Sequence, residues 1–263
     1  MEYETIKVEY SNNIGTITLN RPERFNPMSL VMVRELMQAC DEVEQSGRAR
    51  VVIFTGAGQA FSAGLDLEEM KKMMTLKPAE QESILRLLDL MFLRVRNVEL
   101  PTIAAVNGLA LGGGCALAIA CDIRIASEDA RIGAIFVKRG LSAADVGISW
   151  ILPRLVGAGW AAELMLTGDT IDAAQAERIR LFNHVVPADQ LMKAARELAA
   201  KLAAGPPLGL KLTKRALYRS LWYGLPSQLE YEAAAQTLCF LSEDFQEGVK
   251  SFFEKREPEF RGY

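Results

Sequence analysis

The segment Pro101-Thr102-Ile103-Ala104-Ala105-Val106-Asn107-Gly108-Leu109-Ala110-Leu111-Gly112-Gly113-Gly114-Cys115 carries the strongest structural signal in the chain. Residues 102–106 form a short apolar run, which predicts a buried strand. The triple glycine predicts a tight turn at the start of a helix, because glycine adopts backbone conformations that other residues avoid. The segment Asp122-Ile123-Arg124-Ile125-Ala126 is predicted to form the next strand. The order strand, glycine-rich turn, helix and strand is typical of an α/β fold.

The same alternation occurs in the residues before this segment. Two runs of alternating polarity, 5–10 and 14–19, predict a β-hairpin joined by a short turn. A helix is expected from Ser29, an available N-cap, and a strand buried on both faces is expected at 50–55. Strands that alternate with helices imply right-handed crossovers and a parallel sheet in the first two-thirds of the chain.

The residues after about 150 predict helices almost throughout. Ser227 and Glu230 have the spacing of a capping box, which predicts the start of one helix. Phe245, Phe252 and their apolar neighbours form one face of the last helix. So many large apolar residues near a chain end indicate that these helices dock onto another subunit.

Composition and charge exclude several classes of protein. The chain has 263 residues, of which 50% are hydrophobic and 24% charged, so it can form a sizeable core and is not disordered. Its 30 basic and 33 acidic residues leave a net charge of −3, which gives no general attraction to DNA or RNA. Apolar runs stay shorter than the roughly 18–20 residues of a membrane-spanning helix. The acidic N-terminus lacks the basic and apolar parts of a secretion signal, so we expect a cytoplasmic enzyme with neither nucleic-acid nor membrane partners.

Cysteine and histidine usage predicts neither a metal site nor a catalytic triad. The four cysteines show no CxxC spacing, and their apolar neighbours favour buried, reduced thiols. His184 is the only histidine, which excludes an HExxH site and any site with several histidines. No GxSxG motif accompanies it, so a structural role in a short strand is expected for His184.

Two glycine-rich clusters, 61–67 and 107–115, follow predicted strands and lead into helices. Gly56 and Gly58 begin a dinucleotide-type GxGxxG pattern, but Phe61 takes the third position. The start of a helix exposes backbone N–H groups, and two such groups on neighbouring loops can hold one oxygen as an oxyanion hole. The alternative is a pair of turns that serve only helix–sheet packing, and the residues alone leave both readings open.

Five segments form a recognisable series along the whole chain. They are Leu19–Asn26, Phe61–Leu67, Pro101–Ile123, Leu152–Gly157 and Glu247–Phe260. The first is similar to an LNRPxxxNA motif and the second to an FxAGxDL motif. In this order the segments resemble the crotonase family, the enoyl-CoA hydratase/isomerase superfamily.

The resemblance implies an α/β fold built as a spiral of ββα units. Residues 1–200 would form this spiral core, with the CoA site and the oxyanion hole, and residues 201–263 a helical trimerisation region. The implied ligand is an acyl-CoA, and no separate cofactor or metal is expected, because coenzyme A enters as part of the thioester substrate. The implied assembly is a homotrimer or a dimer of trimers.

The resemblance also assigns roles to individual residues. The thioester oxygen would meet the backbone N–H groups of Leu65 and Gly113. The CoA nucleotide would lie near Arg24, Ala63, Asp66 and Leu67 and, from the last helix of a neighbouring subunit, near Phe252 and Lys255. Two of these residues have simpler readings, since Asp66 can cap the helix that follows it and Lys255 lies in the charged run Glu254-Lys255-Arg256-Glu257.

The acid–base residues distinguish the possible reactions. The family's hydratases use two glutamates, but Ala116 and Phe136 occupy those positions here. Asp145 stands where several isomerases of the family carry a catalytic aspartate. One carboxylate suffices to move a proton from C2 to C4 of an enoyl thioester, and the two apolar residues would line the acyl pocket and raise the pKa of Asp145.

We therefore expect an enoyl-CoA isomerase that uses Asp145 as its acid–base group. A hydratase that recruits another carboxylate, either Asp145 or Glu68, is an alternative, as is a crotonase-type hydrolase or C–C lyase. A catalytically silent acyl-CoA-binding protein is a third possibility. The structural alternative for Asp145 itself is a loop aspartate that caps the helix starting near Ser149. The acyl group and the pathway stay open.

Overall fold

Strands and helices alternate through the first two-thirds of the chain, and helices dominate the remainder, as the sequence predicts. The structure is a computed structural model that describes residues 2–262. The strands are β1 (Ile6–Ser11), β2 (Ile14–Leu19), β3 (Val51–Gly56), β4 (Ala60–Ser62), β5 (Thr102–Val106), β6 (Leu109–Leu111), β7 (Ile123–Ser127), β8 (Arg131–Gly133), β9 (Ile171–Asp172) and β10 (His184–Val186). The α-helices are α1 (Leu30–Gln45), α2 (Leu67–Met73), α3 (Pro78–Arg96), α4 (Gly113–Ala120), α5 (Ile148–Thr167), α6 (Ala173–Arg178), α7 (Leu191–Ala203), α8 (Pro207–Arg219), α9 (Leu225–Phe240) and α10 (Glu243–Glu254).

The larger sheet has six strands in the order β1-β2-β3-β5-β7-β10. The predicted hairpin is confirmed, because β1 and β2 pair antiparallel across a tight turn in which Asn12 and Asn13 have φ values of 51° and 61°. Asparagine tolerates this left-handed conformation better than most residues. The other strand pairs are parallel, with Ile17 of β2 opposite Phe54 of β3, for example.

A second, smaller sheet has the order β4-β6-β8-β9. Each of β3, β5 and β7 in the larger sheet is followed by a three-residue strand in the smaller one, and helices follow each pair. The chain therefore makes three turns of a ββα spiral. This arrangement confirms the α/β fold that the resemblance implies.

Two apolar clusters lie on opposite faces of the six-stranded sheet. The larger contains Leu36 of α1, Met91 of α3 and Phe54 of β3, all fully buried. The smaller packs Ala195 of α7 against strands that include Ile53 of β3. Successive strand residues point to opposite faces, so helices on both sides of the sheet explain why residues 51–54 of β3 are all apolar.

The C-terminal helices α8 to α10 and the turns between them expose large apolar side chains. Trp222, Leu241 and Phe252 are 69%, 78% and 79% exposed. The division into residues 1–200 and 201–263 stays a prediction, and α7 is continuous across that point.

The start of α9 differs from the sequence expectation. The helix begins at Leu225, after Gly224, with Pro226 in its first turn. Ser227 therefore lies inside the helix, and the predicted capping box of Ser227 and Glu230 is wrong. Proline is favoured in the first turn, because its φ is already helical and its missing N–H would have no partner there.

The cysteines and the histidine occupy structural positions. Cys40, Cys115 and Cys121 are buried free thiols, and Cys239 is a half-buried one. His184 begins β10, opposite Ile125 of β7, so the predicted short strand is confirmed. Within residues 2–262, no group of three His, Cys, Asp or Glu side chains is placed to hold a metal ion. None of the described helices combines the length and apolar character needed to cross a membrane.

Candidate active site

Asn26 holds the loop before α1 against β4. It is fully buried and has a left-handed φ of 52°. Its Nδ2 donates to the carbonyl oxygens of Ala57 (2.8 Å) and Ala60 (2.7 Å), and its Oδ1 accepts from the N–H of Arg21 (2.8 Å). The hydroxyl of Ser62 donates to the Asn26 carbonyl oxygen (2.8 Å). These bonds fix the end of β4, where the first glycine-rich cluster begins.

Leu65, three residues after the end of β4, forms an isolated parallel β-bridge with Met28. The N–H of Met28 donates to the carbonyl oxygen of Gly64 (2.8 Å), and the N–H of Asp66 donates to the carbonyl oxygen of Met28 (3.0 Å). In a parallel bridge of this kind the flanking peptides make the bonds. The N–H of Leu65 itself therefore points away from Met28.

The second glycine-rich cluster turns sharply between β6 and α4. Gly112 has φ 51° and ψ −114°, and its N–H donates to the carbonyl oxygen of Gly133 (2.9 Å). Helix α4 starts at Gly113, so the N–H of Gly113 has no carbonyl one turn earlier to bind. A Cβ on Gly114 would lie 2.2 Å from the carbonyl oxygen of Ser62, and only glycine allows this close approach.

These two turns meet. A Cβ on Gly113 would lie 3.8 Å from the backbone nitrogen of Leu65, and a Cβ on Gly64 would lie 3.2 Å from the backbone nitrogen of Gly113. Within residues 2–262, neither the Leu65 nor the Gly113 N–H donates to a protein acceptor. Two neighbouring donors, one of them at the positive end of a helix dipole, suit an oxygen that carries negative charge.

Asp66 has a structural role. Its carboxylate accepts from the N–H of Glu68 (3.0 Å) as the N-cap of α2, which confirms the capping interpretation. It also binds the guanidinium groups of Arg21 (2.6 Å) and Arg24 (3.6 Å). Burial alone would raise the pKa of Asp66, but the Glu68 N–H and the two guanidinium groups outweigh burial and lower it.

The predicted nucleotide contacts of the spiral core lie around the same loop. The N–H of Ala63 donates to the carbonyl oxygen of Phe25 (2.9 Å). Leu67, the first residue of α2, is 60% exposed, and Arg24 reaches Asp66 across the loop. The structure therefore brings Arg24, Ala63, Asp66 and Leu67 together beside Leu65.

Ala116 and Phe136 are apolar and buried. Ala116 lies in the first turn of α4, and its N–H donates to the carbonyl oxygen of Gly112 (3.0 Å). The Phe136 ring comes within 3.9 Å of the point where a Cβ on Gly112 would lie. Both residues thus border the Gly112–Gly113 turn, and neither side chain can exchange a proton.

Asp145 lies in the loop before α5. Its carboxylate accepts from the N–H of Val146 (3.1 Å), while α5 begins after Gly147, which has a φ of 77°. The alternative in which the Asp145 side chain caps α5 is therefore wrong. Asp145 is half-buried, and burial together with the negative charge of Asp89 raises its pKa, against the effect of the Val146 N–H.

Asp89 on α3 was not predicted from the sequence as a site residue. It occurs between Leu88 and Leu90 on an amphipathic helix, where an exposed acidic residue is ordinary. Its proximity to Asp145 depends on how α3 packs in the spiral, and no local motif signals that contact. Asn26 belonged to a recognised motif, but its structural role emerged only from its hydrogen bonds.

Phe252 and Lys255 lie at the end of α10. Phe252 lines an apolar groove of about 550 Å³ between α8, α9 and α10. Lys255 ends the helix with a φ of 55°, and its side chain is exposed. A contact between these residues and the nucleotide of a neighbouring subunit stays a prediction.

The chain is similar to known proteins over almost its whole length. It matches the family described as enoyl-CoA hydratase/isomerase over residues 9–263. The short-chain-enoyl-CoA hydratase of Clostridium acetobutylicum is 38% identical over 260 residues, which are 98% of each chain. The crotonyl-CoA hydratase of Syntrophomonas wolfei is 34% identical and covers 99% of each. A crystal structure of enoyl-CoA hydratase from Bacillus anthracis superposes with a TM-score of 0.93 at 35% identity, covering 99% of this chain and 100% of that one.

Proposed function

The chain belongs to the enoyl-CoA hydratase/isomerase family, and from this we propose that it shifts the double bond of an enoyl-CoA. One observation carries the proposal. The backbone N–H groups of Leu65 and Gly113 lie on adjacent turns, without protein acceptors among the described residues, at a site bordered by Ala116 and Phe136. The two N–H groups can stabilise a thioester enolate. The two apolar residues leave Asp145 as the proposed acid–base group.

The proposed reaction moves one proton between two carbons. The carboxylate of Asp145 takes a proton from C2 of a 3-enoyl-CoA, and the electron pair spreads onto the thioester oxygen. The N–H groups of Leu65 and Gly113 hold that oxygen while the dienolate exists. Asp145 then returns the proton to C4, so that the double bond lies between C2 and C3 and the carboxylate is regenerated.

The usual energetic contributions of such groups favour Leu65 and Gly113 as oxyanion donors and Asp145 as the general base. One oxyanion-hole donor contributes about 3–4 kcal/mol to a transition state. A general base works best when its pKa lies near the working pH. Burial and the charge of Asp89 raise the pKa of Asp145 in that direction.

The substrate of this proposal is an acyl-CoA, bound partly by a second copy of the chain. Arg24, Ala63, Asp66 and Leu67 would surround the nucleotide from the spiral core, and Phe252 and Lys255 from the neighbouring subunit. An exposed ammonium group is suited to phosphate. The exposed apolar residues of α8 to α10 support burial between subunits in a trimer or a dimer of trimers.

Hydration of a 2-enoyl-CoA is the second candidate, because the relatives named above are hydratases. It requires carboxyl groups that hold water and deliver a proton. Asp145 is available, whereas Glu68 lies on exposed α2 and pairs with Lys71 (3.3 Å). A third carboxylate, that of Asp89, lies close enough for its charge to raise the pKa of Asp145.

Absorbance of the conjugated thioester distinguishes these reactions. We expect the band to grow with 3-enoyl-CoA, whereas loss with 2-enoyl-CoA would indicate a hydratase. Release of free CoA would indicate a hydrolase, and CoA release with carbon–carbon cleavage a lyase. Tight binding without any of these changes would indicate a silent binding protein.

Asp145→Asn tests the assigned base. We expect kcat to fall by at least about a hundredfold, the usual contribution of a general base. Asp129→Asn, at an exposed aspartate, is the matched control and should keep wild-type turnover. Full isomerase activity in Asp145→Asn would overturn the proposal.

A further inference from the structure

Helix α10 ends in a turn that usually requires glycine. Lys255 follows the last helical residue with φ 55° and ψ 43°. Its N–H donates to the carbonyl oxygen of Phe252 (3.3 Å), and the N–H of Arg256 donates to that of Ser251 (3.1 Å), which is the Schellman pattern. A residue with a side chain is strained in this conformation, so other contacts must hold it there.

Arg256 supplies such contacts by folding back along α10. Its terminal nitrogens donate to both carboxylate oxygens of Glu247 (2.5 and 2.9 Å), and its Nε donates to Glu254 (2.7 Å). Glu247 also accepts from the N–H of Glu259 (2.9 Å). The Arg256 guanidinium and the Glu259 N–H lower the pKa of Glu247 to about 2. A bidentate pair fixes direction as well as distance.

The rest of the tail is tied to the same face of α10 and to the spiral core. Asp244, one turn before Glu247, accepts from the N–H groups of Arg261 (2.6 Å) and Gly262 (2.9 Å). Arg50, just before β3, donates to the carbonyl oxygen of Phe260 (2.9 Å). These bonds fix the direction in which α10 ends.

Lys255 takes no part in the ion pairs of this turn. Arg256 folds back onto Glu247 and Glu254 of α10, whereas the Lys255 side chain is exposed and makes no such ion pair in the part of the chain that the structure describes. Within residues 2–262, no carboxylate oxygen lies within 4.0 Å of the Lys255 ammonium group. In the charged run at the end of α10, Arg256 therefore pairs with carboxylates of α10, while Lys255 keeps its ammonium group available for another partner.

We propose that Glu247 is a positioning residue for recognition of the CoA nucleotide. By binding Arg256 it holds the chain in the left-handed turn at Lys255, and so directs the Lys255 ammonium group toward phosphate on a neighbouring subunit. This inference rests on the proposed function, because it takes acyl-CoA as the ligand. It is independent of whether the enzyme isomerises or hydrates.

Binding of butyryl-CoA, a saturated thioester that cannot isomerise, tests the inference on the intact oligomer. We expect Glu247→Gln and Lys255→Ala each to raise the dissociation constant by about three- to tenfold, the range expected for one solvent-exposed hydrogen-bonded contact. Affinity for butyryl-pantetheine, which lacks the nucleotide, should not change. Adding Glu247→Gln to Lys255→Ala should have no further effect, because both act through the same ammonium group.

Two further variants separate positioning from folding and from charge. Arg256→Lys keeps the charge but loses the bidentate geometry, so it should weaken butyryl-CoA binding as Glu247→Gln does. Glu257→Gln removes a nearby negative charge outside these pairs and should bind as the wild type does.

Wild-type affinity in Glu247→Gln would overturn the inference, as would an equal loss of affinity for butyryl-pantetheine. A wild-type enzyme that binds butyryl-CoA but leaves enoyl-CoA unchanged would overturn the proposed reaction alone. Failure of the wild type to bind butyryl-CoA would overturn both.

Discussion

A side chain on Gly64 would place its Cβ 3.2 Å from the backbone nitrogen of Gly113. The same Cβ would lie 2.6 Å from the carbonyl oxygen of Leu111, and Gly64 has a φ of 92°. Conformation and contact therefore both require glycine at position 64. The two turns that present the Leu65 and Gly113 N–H groups approach each other because no side chain stands between them.

Gly64→Ala should abolish most of the activity. The added methyl group pushes the two turns apart, and loss of one oxyanion donor alone lowers kcat by about 10²–10³. Gly47→Ala is the control, because Gly47 also has a positive φ (65°) but nothing lies within 4 Å of its Cβ position. The control should lose about 1 kcal/mol of stability and keep its kcat. Equal kcat in the two variants would contradict the assigned site.

The sequence predicted the larger sheet and its helices because their residues repeat with the periods of strands and helices. The smaller sheet was not visible in this way. Strands β4, β6 and β8 have three residues each, too few to show a period. Only the family resemblance implied them.

The candidate site was predicted to the extent that its residues form local motifs. The two glycine-rich clusters predicted the tight turns of the site. The family resemblance identified Asp145 as the acid–base residue. The contacts that shape the site join residues far apart in sequence, such as Asn26 with Ala60 and Asp89 with Asp145. Capping by Asp145 was wrong, since Gly147 and Val146 adopt positive φ values and turn the chain before α5.

Lys214→Met should destabilise the enzyme by about 3 kcal/mol. The Lys214 ammonium binds the Asp122 carboxylate (2.7 Å) and the Leu100 carbonyl oxygen (2.9 Å), and both charged side chains are almost buried. Removing the Lys214 ammonium group leaves the Asp122 carboxylate without its ion-pair partner between α8 and the sheet. Urea unfolding at a fixed protein concentration measures the change.

Lys211→Met is the matched control for Lys214→Met. Lys211 lies on the same helix and pairs with Glu99, but its side chain is 37% exposed. Solvent weakens such a pair, so the expected loss is below about 1 kcal/mol. Comparable losses in the two variants would show that burial does not set the strength of the Asp122 pair.

The native enzyme should react with no more than one equivalent of a thiol reagent per chain at pH 8, and the unfolded enzyme with four. Burial raises the pKa of both Cys40 and Cys115 to about 12, and it also raises that of Cys121. The reactive thiolate is therefore scarce at these positions. Cys239 is only half-buried. Cys239→Ser should remove the native reaction, and persistent labelling of that variant would show that a buried cysteine is accessible.

The acidic limb of kcat/KM should move when the charge of Asp89 is removed. A general base works as the carboxylate, so activity falls as the pH drops through the pKa of Asp145. Burial and Asp89 raise that pKa, and Asp89→Asn should shift the limb to lower pH. Glu82→Gln, which removes an exposed charge on the same helix, is the control and should leave the profile unchanged.

Stability should respond to Asp145 in the opposite sense from activity. A carboxyl group with a raised pKa in the folded state contributes stability at low pH, and this contribution is lost as the pH rises through the folded-state pKa. At pH 7 the ionised Asp145 therefore costs stability that asparagine does not. Asp145→Asn should melt at a higher temperature than the wild type at pH 7, with the difference shrinking toward pH 4, while its turnover falls. A lower melting temperature at pH 7 would show that Asp145 stabilises the fold, which contradicts its assignment as an acid–base group whose pKa is raised by burial.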